Sequence, residues 1–175
     1  MMQAQPPRSL ALALTLALGL AAGGAAFAHG GDPHARRAGA AVKEQKPWGI
    51  AGDAKAVART VLIRMSDDMR FTPDRIDVRE GETLRLKLVN SGRMLHELVI
   101  GSQAELDAHA ALMLKFPAME HDEPYMAHVA AGGRGAIVWT FNRAGAFDFA
   151  CLIPGHYQAG MVGKILVSPR TERQP

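Results

Sequence analysis

Three side chains that can bind a metal ion lie close together near the C-terminal end of the chain. Cys151 is followed by His156 after four intervening residues, and Met161 follows after four more. A thiolate, an imidazole and a thioether suit a soft or borderline metal, since sulfur ligands favour Cu(I) and imidazole suits copper. A copper site of the His2Cys type with a weak axial Met needs a second imidazole. His96, on a predicted strand that would cross behind this loop, is the candidate.

Each residue of this group also has an ordinary structural interpretation. Cys151 could be a buried structural cysteine, His156 a surface histidine and Met161 a core residue. The joint pattern favours a metal, because the three share one loop and the chain has no second cysteine with which to form an internal disulfide. If the upstream histidine is not the second imidazole, His109 and His128 are the next candidates.

The stretch from Phe149 to Gly163 resembles the ligand loop of the cupredoxins, the plastocyanin and azurin superfamily of copper proteins. The likeness extends over roughly residues 60–168, and in particular the chain resembles exported bacterial cupredoxins associated with copper tolerance. The ligands that the resemblance implies for one type 1 copper are His96, Cys151, His156 and Met161. The residue after the first histidine is Glu97, where many cupredoxins have an asparagine.

Residues 1–28 are predicted to be a secretory signal. Arg8 supplies a positive charge, residues 10–20 are apolar, and Ala26-Phe27-Ala28 has the small-x-small pattern that a signal peptidase accepts. The apolar run is shorter than the roughly 20 residues that a membrane-spanning helix needs. We therefore expect a periplasmic protein with no membrane span after cleavage. An uncleaved membrane anchor is the alternative.

Residues 29–59 are predicted to be a flexible N-terminal tail, because they show no sustained hydrophobic period. His29 and His34 could hold an additional, weaker copper ion, although a solvated arm with two incidental histidines is the simpler interpretation. We expect the folded cupredoxin domain to occupy residues 60–168. Residues 169–175 would then be a short C-terminal tail.

The hydrophobic pattern of the domain is that of half-buried strands. Apolar residues recur at every second position in several short segments. The clearest examples are Leu84, Leu86, Leu88, Ile137, Trp139 and Phe141. Short strands separated by turns predict an all-β fold, an antiparallel Greek-key sandwich or barrel. The loop that carries Cys151 would join the last two strands.

One short helix is predicted to interrupt the strands. Ser102 and Glu105 fit a capping box at its start, and Pro117 marks its end. The acidic stretch that follows contains four further metal donors, which are Met119, His121, Met126 and His128. They could form a weaker, exposed copper site or pass copper to the buried one. A solvated loop with packed methionines is the simpler interpretation.

Composition and resemblance together narrow the function. The formal net charge is only +3. The sequence has no basic patch with interleaved aromatic residues, so nucleic-acid binding is not indicated. The resemblance implies copper tolerance or handling with a redox-active site. The alternative is a one-electron carrier between periplasmic donor and acceptor proteins. An oxidase or nitrite reductase is disfavoured, because such enzymes resemble several joined cupredoxin domains. The oxidases also have histidines beside the cysteine, whereas Cys151 lies between Ala150 and Leu152.

Overall fold

Ten β-strands and one α-helix form the described part of the computed structural model, which comprises residues 43–117, 119 and 121–171. The strands are β1 (Ile50–Ala51), β2 (Arg59–Ser66), β3 (Arg70–Thr72), β4 (Arg75–Arg79), β5 (Glu82–Asn90), β6 (His96–Gly101), β7 (Met126–Val129), β8 (Arg134–Phe141), β9 (Gly145–Ala150) and β10 (Val162–Ser168). The helix α1 (Gln103–Lys115) connects β6 to β7. Within these residues, no helix has the length and apolar character needed to span a membrane.

The strands form two five-stranded sheets. Their orders are β1-β8-β5-β2-β3 and β4-β10-β9-β6-β7. The predicted all-β fold with one inserted helix is confirmed, but the sheets are mixed rather than wholly antiparallel. Strand β2 pairs with β5 in parallel, and β4 pairs with β10 in parallel. Strand β4 lies in the other sheet, so that β5 returns beside β2 in the same direction and the two pair in parallel.

The space between the sheets is filled by the alternating apolar residues that the sequence pattern predicts. Leu84 and Leu86 of β5 lie opposite Trp139 and Ile137 of β8, and all four side chains are buried. Full burial of one such side chain contributes roughly 1.5–3 kcal/mol relative to an exposed one. The two sheets are therefore held together by a continuous apolar layer.

Strand β6 is buried along its whole length, because both of its faces are covered. Leu98 and Ile100 point into the layer between the sheets. Val99 points the other way, into a second apolar cluster with Leu106 and Met113 of α1. Successive residues of a strand point to opposite faces. Side chains from β6 can thus contribute to two separate environments.

Helix α1 starts and ends where the sequence predicts. The Ser102 hydroxyl accepts a hydrogen bond from the Glu105 backbone N–H, and the Glu105 carboxylate accepts one from the Ser102 N–H, both at 3.4 Å. The helix ends at Lys115, two residues before Pro117. Its buried side chains lie on one face and hold it against β6 and β9.

The folded domain begins earlier than residue 60, which corrects part of the predicted tail of residues 29–59. Trp48 is buried in the core, and its carbonyl accepts a hydrogen bond of 3.1 Å from Trp139 Nε1. Strand β1 then pairs with β8. The sequence pattern missed this because a two-residue strand has no detectable alternation.

Several predictions concern residues outside the described part of the chain. These are the signal sequence of residues 1–28, the start of the tail with His29 and His34, and the last part of the C-terminal tail, residues 172–175. They remain expectations from the sequence.

Candidate metal centre

The fold brings three of the predicted ligands together in the interior. One side-chain ligand atom from each of His96, Cys151 and His156 lies within 4.8 Å of the others, and all three residues are buried. Cys151 Sγ is 3.3 Å from His156 Nδ1, and the two imidazole ring centres are 4.9 Å apart. Met161 is fully buried, and its backbone bonds directly to both Cys151 and His156, each at 3.1 Å. All four candidates therefore converge at one end of the sheets.

Backbone hydrogen bonds fold the loop between β9 and β10 so that His156 turns inward. The His156 N–H donates to the Ile153 carbonyl at 2.9 Å. Gly155 has φ of +92°, a left-handed conformation that side-chain-bearing residues rarely adopt. From the outside, Arg70 Nη1 donates to the carbonyls of Ala159 at 3.1 Å and Gly160 at 3.3 Å. The loop is thus fixed at both its start and its end.

Asp67 orients the imidazole of His96. Its Oδ1 lies 3.0 Å from His96 Nε2. A backbone hydrogen bond from Arg93, followed by the bond from His96, lowers the pKa of the Asp67 carboxyl, so the carboxylate accepts and Nε2 carries the proton. His96 Nδ1 is buried with no hydrogen-bond partner among the described residues. An imidazole whose other nitrogen donates to a carboxylate is the usual arrangement of a metal-bound histidine.

Sequence reasoning missed this role of Asp67. The adjacent pair Asp67-Asp68 indicates a turn, and nothing in that pattern relates it to a histidine far along the chain. The contact exists because the loop after β2 and the loop before β6 meet at the same end of the fold. There the Arg93 backbone N–H donates a hydrogen bond to the Asp67 carboxylate.

The protonation of the cluster suits an exchange of protons for a metal ion. Burial raises the pKa of the Cys151 thiol to about 12, so the thiol is protonated at neutral pH. Burial, and then the proximity of His96, lowers the pKa of His156 and favours its neutral, metal-binding form. Metal binding to such a site releases the thiol proton, because the thiolate is the ligand.

Glu97 braces the cysteine from the side of β6. Its backbone N–H donates to Cys151 Sγ at 3.4 Å, and its side-chain Oε1 accepts a 2.8 Å hydrogen bond from the Leu152 N–H. The Glu97 side chain is fully buried. The residue that departs from the cupredoxin asparagine is therefore attached to the ligand loop at two points.

The four additional donors predicted in the acidic stretch do not act as one group. His121 and His128 come together with Glu97, each offering a ligand atom within 4.8 Å of the others. Met126 instead packs in the apolar cluster beneath α1, and Met119 offers its backbone carbonyl to His121. The simpler interpretation holds for Met126. No local sequence pattern indicates that Glu97 would join the two histidines.

The donors of the buried site fit copper. Two imidazoles, a cysteine sulfur and a nearby thioether form the ligand set of type 1 copper, and soft sulfur ligands select copper over harder ions. The buried Nδ1 of His96, which has no hydrogen-bond partner among the described residues, fits a metal-bound nitrogen. Burial also keeps water from the cysteine sulfur, a factor that tunes such sites.

Residues 58–168 match the sequence profile of a family described as copper binding proteins, plastocyanin/azurin family. The chain belongs to this family, and copper is the cofactor of its site. The solved structure of auracyanin B is similar in fold, with a TM-score of 0.57 and 23% identity, over 69% of this chain and 95% of that one.

Two relatives carry the same description, copper-resistant cuproprotein CopI. The one from Rubrivivax gelatinosus is 54% identical over 121 residues, which cover 69% of this chain and 73% of the relative. The one from Pseudomonas aeruginosa is 33% identical over 151 residues, which cover 70% of this chain and 83% of the relative. The similarity thus extends over most of this chain and most of each relative.

Proposed function

We propose that this protein is an exported copper protein that serves copper tolerance and holds one redox-active copper ion. The residues that would hold the copper are His96, Cys151, His156 and Met161. The observation that carries the proposal is the buried cluster of two imidazoles and one thiol within 4.8 Å in a member of a copper-binding family. Similarity to relatives named for copper resistance supports the tolerance role. The predicted signal sequence supports a periplasmic location.

The protein's own contribution is to hold these side chains in place before the metal arrives. Asp67 fixes the ring of His96, and the Glu97 N–H supports the sulfur of Cys151. When bound, copper supplies a one-electron couple between Cu(I) and Cu(II). Two imidazoles, a thiolate and a weakly binding thioether would suit both oxidation states. Rigid ligands therefore favour both tight retention and small rearrangement on electron transfer.

A one-electron carrier between periplasmic proteins is the second candidate function. His156 retains 8% of its surface, whereas His96 is fully buried. Near His156, the loop residues Pro154, Tyr157 and Ala159 are partly or fully exposed. They would offer a mostly apolar docking surface beside the more accessible imidazole. In either role we propose that the protein is not itself an enzyme.

The test compares the wild-type protein with Cys151→Ser in copper content, visible absorption and copper tolerance of a strain that lacks its own copy. We expect one strongly coloured copper, with both the colour and the tolerance lost in the variant. Ala159→Ser places the same new side chain at an exposed position of the same loop and serves as the control. It should keep both properties.

The outcomes separate the candidate functions. Colour that survives Cys151→Ser would refute the proposed site. Colour lost with tolerance unchanged would refute the tolerance role and leave electron transfer as the better explanation. Loss of tolerance in Ala159→Ser with its colour intact would mean that the loop surface, rather than the copper, is what tolerance requires.

A further inference from the structure

A second group of potential ligands lies on the opposite face of β6 from the buried site. His96 and Glu97 are neighbours in this strand, so their side chains leave it on opposite faces. Val129, which pairs with His96, belongs to the core between the sheets, whereas His128 pairs with Glu97 on the side of α1. The group is therefore separate from the buried cluster although it is adjacent in sequence.

We propose that Glu97, His121 and His128 form a second metal site, and that its expected occupant is Cu2+. One ligand atom from each of the three residues lies within 4.8 Å of the others. Two imidazoles and a carboxylate suit Cu2+ and Zn2+, and Cu2+ is bound more tightly than other first-row divalent ions by a given nitrogen and oxygen site. Three protein ligands leave a coordination position open for water or an exchanging ligand.

The imidazole of His121 is arranged as a metal-bound histidine would be. Its Nδ1 lies 3.1 Å from the Met119 carbonyl, which can only accept, so Nδ1 carries the proton. Its Nε2 is then the ligand atom, and it is buried without a hydrogen-bond partner among the described residues. The ring of His109 from α1 lies 4.6 Å away, centre to centre, and supports its face. A backbone carbonyl on the other nitrogen is a common partner of metal-bound histidine.

Glu97 provides the negatively charged ligand. Its Oε2 is buried and pairs with His128 Nε2 at 2.7 Å. The other oxygen, Oε1, is held by the Leu152 N–H at 2.8 Å. A buried carboxylate is costly unless a positive charge or a metal ion faces it. A divalent ion bound by Oε2 and the two histidines would supply that positive charge.

This site differs from the buried one in access. The side chain of His128 is 36% exposed, whereas His96 and Cys151 are fully buried. With an open position and a ligand at the surface, the second site would exchange metal with solvent more readily. The structure thus points to a partly exposed Cu2+ site next to, but distinct from, the coloured centre.

The experiment adds Cu2+ to the full-length mature protein whose coloured centre is already filled. After removal of unbound metal, copper content is measured, and the electron paramagnetic resonance spectrum is recorded. We expect a second Cu2+ without thiolate absorption. His121→Ala and His128→Ala should each weaken its binding at least about tenfold and leave the colour unchanged. The unchanged colour shows that the variants are folded.

Glu97→Gln and His34→Ala complete the set. Glutamine keeps an oxygen for the Leu152 N–H but removes the charge, so the second ion should also bind more weakly in this variant. His34→Ala removes a candidate ligand of the N-terminal segment and should leave the second ion in place. Unchanged binding in the His121 and His128 variants, or loss in His34→Ala alone, would overturn the proposal. So would a protein that retains only one copper.

The proposal does not depend on the redox function of the buried site. The same titration in a Cys151→Ala, His156→Ala background removes the sulfur and one imidazole of the coloured centre and leaves the three proposed ligands intact. An N- and O-ligated Cu2+ signal that persists there and disappears with His128→Ala added supports the second site, whatever happens to the first. A signal unaffected by His128→Ala would contradict it.

Discussion

The two ligand clusters differ in how the chain assembles them. The buried cluster takes Cys151 and His156 from one loop, adds a single distant histidine, and combines nitrogen with sulfur. The second cluster takes one residue from each of β6, β7 and the stretch after α1, and combines nitrogen with oxygen. The buried cluster is closed to solvent, whereas the second cluster is partly open to it. The comparison shows that the dipeptide His96-Glu97 can serve two sites because a strand presents successive side chains to opposite faces.

Loss of the packing between α1 and the sheet should have the largest effect on the stability of the protein. Leu106 is buried between the helix and the sheet, and Leu→Ala in a packed core costs about 2–5 kcal/mol. We expect Leu106→Ala to lower the free energy of unfolding by that amount in a urea titration. Leu112→Ala, at a position of the same helix that is 41% exposed, should change it by roughly 0.5 kcal/mol or less.

The same pair of variants sharpens the comparison between the sites. Helix α1 carries His109 against His121, but it contributes none of the buried copper ligands. In Leu106→Ala, folded protein should therefore keep its colour while the second Cu2+ binds less firmly. Equal losses at both sites would show that the two faces of β6 are not independent.

Substitution of Asp67 should have the next largest effect. It should change copper affinity at the buried site alone. Without its carboxylate, His96 loses the partner that holds Nδ1 toward the metal. Loss of such a partner typically weakens metal affinity roughly 10- to 100-fold. We expect this for Asp67→Ala, measured by competition with a copper chelator, and a smaller loss for Asp67→Asn.

Asp68→Ala provides the matched control, because Asp68 is the neighbouring exposed carboxylate and bonds to Ser66 instead. Its copper affinity should stay near that of the wild type. Equal weakening in Asp67→Ala and Asp68→Ala would mean that local charge, rather than orientation of His96, controls affinity.

Much of the fold follows from local patterns in the sequence. Alternation located the strands on both sides of the core, and the Ser102 and Glu105 capping box located α1, because both signals involve residues close in the chain. Trp48 was missed because its burial depends on a distant strand. The parallel pairing of β2 with β5 was missed for the same reason, since nothing local specifies which strands become neighbours.

At the two sites, too, local sequence patterns do not show which distant segments meet. The loop from Cys151 to Met161 is recognisable because its donors are regularly spaced, whereas Asp67 and Glu97 gain their roles only when separate segments meet. Glu97 stood out in the sequence only as a departure from asparagine. Its two carboxylate oxygens face different partners, one on the ligand loop and one beside His128, and no sequence pattern encodes that division.

Met161→Leu should have the smallest effect on copper binding and the most specific effect on redox behaviour. Met161 is fully buried, and Leu is close to it in volume, so the fold should tolerate the exchange. Loss of a weak axial donor removes stabilisation mainly from Cu(II), so the reduction potential should rise while copper stays bound. Voltammetry and copper content measure the two quantities separately. Complete loss of copper would instead identify the thioether as a principal ligand, and an unchanged potential would show that the sulfur does not contact the metal.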